Sequence, residues 1–72
     1  MTYGQNRTYK KVEVIGISGE SVEGAIQQAV TRAQQSLEKL SWFEVNEIRG
    51  HIGDNGEVNE YQVSIKVSFE LK

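Results

Sequence analysis

Cysteine and proline are absent from this 72-residue chain, and tryptophan, methionine and histidine occur once each. Without cysteine there is no disulfide staple and no thiolate nucleophile, which suits a reducing compartment. The lone His51 has no cysteine or second histidine with which to build a structural zinc site. A dominant charge sign is missing too: 8 basic and 10 acidic residues are spread along the chain, for a net charge of −2. A nucleic-acid surface needs a basic stripe to displace counterions from phosphates, so nucleic acid is not an expected partner. No apolar run approaches the ~20 residues of a membrane span. Met1–Thr8 is polar and lacks the apolar centre of a signal peptide. The expectation is a soluble, cytoplasmic protein with a flexible N-terminal arm over residues 1–8 and a single domain over 9–72. A domain this short buries only roughly 60–65% of the surface of its unfolded chain. With disulfide and zinc both missing, self-association is the expected staple.

What is present is strong periodicity. Tyr9 to Ile17 reads as a strand, with Val12 and Val14 on one face and Lys11, Glu13 and Ile15 on the other. Ser18 is the expected cap of a helix running from about Gly19 to Lys39, with Glu20 near its positive end. Val22, Ala25, Ile26, Ala29, Val30, Ala33, Leu37 and Leu40 form one apolar stripe of helical period. The alanines in its middle permit close approach of a sheet. Trp42 to about Ile52 reads as a second strand whose apolar phase changes: Phe43 and Val45 share one, Ile48 and Ile52 the other. A β-bulge or a sharp twist near Asn46-Glu47 would reconcile them. Gly53-Asp54-Asn55-Gly56 carries a hairpin signal, since Asn55 and Gly56 both tolerate positive φ. In the last strand Tyr61, Val63, Ile65, Val67, Phe69 and Leu71 alternate without a break with Gln62, Ser64, Lys66, Ser68 and Glu70. The expected fold is α+β, in the order β-α-β-β, a three-stranded antiparallel sheet wrapped around one long helix. The sheet's other face and an edge strand stay open, and this again favours assembly.

The chemistry-bearing residues read two ways. Trp42 either closes a small core or anchors an interface, or it offers a stacking platform for a planar ring. A second such wall would have to come from a symmetry mate. Gln62 is either a solvated strand position or an edge clamp, whose single amide supplies acceptor and donors together. Glu47, Arg49 and His51 share one strand phase: a surface charge ladder, or a set in which Arg49 meets a phosphate and the other two hold hydroxyls. His51 with Asp54 is too small a set for a metal, and His51 has no marked nucleophile to activate. Gly16-x-x-Gly19 lacks the lysine of a phosphate loop.

The runs Ser41-Trp42-Phe43-Glu44-Val45, Glu47-Ile48-Arg49-Gly50-His51-Ile52 and Tyr61-Gln62-Val63 resemble the dodecins, particularly their bacterial branch. Tyr9-Lys10-Lys11-Val12, Gly16-Ile17-Ser18 and Ala25-Ile26-Gln27 match as well, so the resemblance spans nearly the whole chain. It implies a hollow homododecamer in which paired flavins stack between symmetry-related tryptophans and a glutamine holds the isoalloxazine edge. By that resemblance Trp42 is the stacking wall and Gln62 the clamp, with Arg49, Glu47 and His51 near the ligand or a subunit contact. FMN is the implied cofactor, with riboflavin or FAD as variants and coenzyme A as a further ligand. The implied role is flavin storage, buffering and photoprotection, without catalysis. The other reading keeps Trp42 as interface packing, in a structural assembly domain or a binder of another planar or coenzyme A-type metabolite.

Overall fold

The computed structural model describes residues 6–37 and 39–72. Four elements follow in the expected order: β1 (Tyr9–Ser18), α1 (Val22–Ser36), β2 (Leu40–Ile52) and β3 (Val58–Glu70). The three strands form one antiparallel sheet in the order β1-β3-β2, so β3 is central and both neighbours are edges. β3 earns its central place by its alternation: Val63, Ile65 and Val67 are fully buried on the side facing α1, and Phe69 nearly so. Of the expected arm, most residues fall outside those described. Thr8, however, accepts a hydrogen bond from the Leu71 N–H at 2.8 Å, tying it to the end of the sheet.

The helix is shorter than its stripe. Pairing of β1 with β3 continues to Ser18 opposite Tyr61, which keeps Ser18 extended. Ser18 Oγ therefore caps the turn, accepting from the Glu20 and Ser21 N–H groups at 3.0 and 3.3 Å. The helix cap passes to Ser21, whose Oγ accepts from the Gly24 N–H at 2.9 Å. Glu23, not Glu20, then lies in the first turn. At the other end the Leu37 N–H still reaches the Ala33 carbonyl, but Leu37 has turned extended, and Leu40 pairs with Phe69 as the first residue of β2. Leu37 and Leu40 thus leave the helical stripe for the strand entry.

Small residues set the distance between helix and sheet. Ala25, Ala29 and Ala33 are its buried positions. A methyl added at Gly16 would run into the Ala25 carbonyl oxygen, so β1 and α1 meet backbone to backbone there. The helix packs on β1 and β3, while β2 is exposed almost throughout. Pairing breaks register between Val45 and Glu47, leaving Asn46 as the expected bulge residue. That extra residue lets Val45 and Ile48 both share a face with the core residues of β3, opposite Ile65 and Val63. Leu71 falls beyond β3 and is half-exposed. In the hairpin only Gly56 takes a positive φ, +85°, and Asn55 does not. The Gly56 N–H donates to the Gly53 carbonyl and the Gly53 N–H to that of Glu57, so this is a turn followed by a glycine bulge instead of a two-residue loop.

Candidate functional site

Residues directly opposed on antiparallel strands share a face, so the register maps the sheet surface turned away from α1. Across β1, β3 and β2 run Lys11, Ser68 and Trp42; then Glu13, Lys66 and Glu44; then Ile15, Ser64 and Glu47; then Ile17, Gln62 and Arg49; and past the end of β1, Glu60 and His51. All five residues expected at the site lie on this one face.

Trp42 is 45% exposed, and its ring centroid lies 4.7 Å from that of Tyr9, with the planes tilted by 48°. The two rings stand on opposite edge strands, about two strand spacings or ~10 Å apart at the backbone, and meet above the central one. Ser68, next to Trp42 in register, is fully buried, and its Oγ has no hydrogen-bond partner. A larger side chain there would hold the rings apart. The Arg7 guanidinium carbon lies 6.0 Å from the Tyr9 ring centroid. Tyr9 escaped the sequence reading because β1 and β2 are not neighbours; only the strand order brings it to Trp42.

Gln62 lies at the far end of the face. From Ser68, which faces Trp42, to Gln62 is six residues along β3, or about 20 Å at ~3.3 Å per residue. Neighbouring strands therefore carry the indole and the amide on one face, but one chain does not bring them together. The Gln62 amide is engaged by its neighbours. Arg49 Nε–H donates to Gln62 Oε1 at 3.0 Å, and Gln62 Nε2–H donates to Glu60 Oε2 at 2.8 Å. Arg49 Nη1 is 3.8 Å from a Glu47 carboxylate oxygen, a loose and exposed pair of small energetic weight. His51 stands opposite Glu60, and its Nδ1 is 3.4 Å from Asn59 Nδ2.

Between these groups lies a shallow depression of about 80 Å³ lined by Glu13, Ile15, Glu47, Arg49, Gln62 and Ser64. Glu13 organises its floor: Oε2 accepts from Ser64 Oγ–H at 2.6 Å and from Asn46 Nδ2–H at 3.2 Å. These two bonds, Ser64 first, lower the Glu13 pKa below its ordinary 4.5, aided by the Lys66 charge and partly opposed by desolvation. Glu44 is lowered likewise, chiefly by its hydrogen bond to Lys11 at 2.8 Å. Among the described residues no group of three His, Cys, Asp or Glu side chains converges as a metal site would need. Among the described residues no helix is long and apolar enough to cross a membrane.

Comparison with known proteins agrees across the whole fold. The family model for dodecin matches residues 8–72. A dodecin from Thermus thermophilus is 54% identical over 66 residues, covering 92% of this chain and 94% of that one. The dodecin from Streptomyces davaonensis superposes with a TM-score of 0.86 at 43% identity, covering 94% of this chain and 98% of the other. A calcium dodecin from Mycobacterium tuberculosis, described with a calcium-binding site, is more distant: TM-score 0.76, 31% identity, 90% and 91% coverage. With the same β-α-β-β order and nearly full-length similarity on both sides, this chain belongs to the dodecin family.

Proposed function

We propose that this protein binds flavin, FMN in the first place, in sites that two copies complete together, and that it stores and buffers the flavin without transforming it. The observation that carries this reading is the register, which sets the half-exposed Trp42 and Gln62 on one open face six residues, or ~20 Å, apart along β3. A tricyclic ring stacked on the indole lies out of reach of the same chain's amide, so a two-fold mate must supply the other half of the site. Such a site stacks aromatic surface on the isoalloxazine and holds its pyrimidine edge by an amide, which leaves no general acid or base at the ring. An indole beside an excited flavin donates an electron and takes it back, quenching the light-driven chemistry. Assembly is supported independently by the apolar side chains left in water: Phe43, Val45, Ile48, Ile52 and Val58 are all more than 40% exposed. We place the assembly, a dodecamer by family, in the cytoplasm. Coenzyme A draws its support from a hollow of about 500 Å³ at the sheet end, lined by Lys39, Leu40, Ser41, Glu70 and Lys72, whose two ammonium groups suit phosphates.

Titration of riboflavin and FMN with purified protein, followed by flavin fluorescence, tests the proposal. Saturable quenching near one flavin per chain is expected. Trp42→Ala should weaken binding by tenfold or more, since an aromatic pair contributes ~0.5–1.5 kcal/mol beyond its buried area, while light scattering shows the assembly intact. Absence of quenching at micromolar protein, or collapse of the assembly in Trp42→Ala, would leave Trp42 as interface packing.

A further inference from the structure

The hydrogen bonds around Gln62 carry a consequence for ligand choice. A primary amide can usually present either end to a ligand, because rotation by half a turn exchanges oxygen and nitrogen. Here it cannot. The Arg49 guanidinium has only N–H groups to offer and so must face the amide oxygen, 3.0 Å away. The Glu60 carboxylate, when ionised, has only acceptors and so must face the amide nitrogen, 2.8 Å away. A rotated amide would put N–H against N–H on β2 and oxygen against carboxylate along β3. The two partners oppose rotation from opposite sides, and backbone pairing holds both: Arg49 stands directly across from Gln62, and Glu60 lies two residues before it on the same face.

The structure assigns Glu60 as a positioning residue that, with Arg49, fixes the polarity of the Gln62 amide and thereby selects the hydrogen-bonding pattern of the ligand edge; this assignment rests on the flavin reading above. Two of the four hydrogen-bonding positions of the amide are taken, one on each end. What remains for a ligand is one N–H on the Glu60 side and one lone pair on the Arg49 side. The matching edge is an unsubstituted imide, in which a ring N–H sits beside a carbonyl oxygen, as on the pyrimidine ring of isoalloxazine. A ring lacking that N–H leaves the remaining lone pair of the amide oxygen without a donor, and a fixed amide cannot turn to offer something else. Glu60 makes no claim on the ligand itself; its effect passes through Gln62.

A double-mutant cycle separates this role from a structural or direct one. Riboflavin affinity is measured by fluorescence quenching for wild type, Glu60→Gln, Gln62→Met and the double variant, with light scattering to confirm a common assembly. Replacing a carboxylate acceptor by a neutral amide should weaken riboflavin roughly threefold to tenfold in the Gln62 background, and by less than twofold when Gln62 is already Met. Glu60→Ala, which introduces no competing amide, should repeat the loss. Wild type should also reject riboflavin methylated at the imide nitrogen, and Glu60→Ala should narrow that preference. Equal losses in both backgrounds, or no loss in either, would overturn the assignment while leaving flavin binding in place. Failure of the wild type itself to bind riboflavin would overturn the flavin reading and the assignment with it.

Discussion

At the scale of single residues, the loads fall on small and polar side chains. Gly16 is the most closely approached of the described glycines: Gly16→Ala drives a methyl into the Ala25 carbonyl, and we expect a loss of about 1–3 kcal/mol, the usual range for overpacking. A urea transition unchanged from wild type would refute the close helix–strand approach. Ser21→Ala should cost about 1 kcal/mol for the lost helix cap. Glu13 and Glu44 have folded-state pKa values below the ordinary 4.5, so their stabilising effect is complete above 4.5 and disappears as pH falls through the lowered values. Acid therefore destabilises the fold through these carboxylates, and Glu13→Gln should flatten the acid limb of a plot of stability against pH. An identical acid limb in that variant would mean the Ser64 and Asn46 bonds do not persist in solution.

Among the elements, β2 differs from its partners. β1 and β3 have α1 on one side; β2 touches the core and the helix residue Gln34 through its first residue, Leu40, and beyond it leaves its helix-side face to water. The bulge at Asn46 is what lets this strand keep one chemical identity per face. Glu47, Arg49 and His51 remain outside, and Ile48 stays with Val45 on the other side, despite the change of phase in sequence. Removing Asn46 aligns Glu47 with Ser64 in an unbroken ladder, so we expect that deletion to preserve the sidedness of β2 and the fold. It should also raise the Glu13 pKa by removing one of its two hydrogen-bond donors. Loss of folded circular dichroism in the deletion variant would show that the bulge is needed for folding and not only for phase.

For the whole molecule, we expect the exposed apolar stripe to decide the state in solution. Ile48 at 56% and Ile52 at 67% exposure stand on the uncovered face of β2 with Phe43 and Val45. Burying such side chains contributes about 1.5–3 kcal/mol each, and a chain this short has little stability in reserve. Ile48→Lys should therefore lower the mass seen by light scattering and lower the melting temperature together. A variant that keeps the wild-type mass would move the contact between copies away from this face. The proposed flavin site belongs to this scale as well, since six residues of β3, or ~20 Å, separate the positions of the indole and the amide in one chain.

Much was legible in the local pattern. The alternation of Tyr61 to Phe69 dictates which side of β3 is buried, the spacing of Ala25, Ala29 and Ala33 dictates the close face of the helix, and the change of phase after Val45 marks the bulge. These are local consequences of a two-residue or 3.6-residue period, and they need no knowledge of distant residues. Trp42 and Gln62 stood out by type, and their common face followed from the strand phases. What periodicity does not encode is which strand lies beside which. The order β1-β3-β2 brings Tyr9 to Trp42 and buries Ser64 and Ser68 on a face whose pattern reads as solvated. It also continues the β1 ladder to Ser18, which moves the helix cap to Ser21. Arg49 and Glu60 acquire their hold on Gln62 only once β2 and β3 are paired in this register, because a hydrogen bond depends on distance and direction that a linear spacing cannot specify.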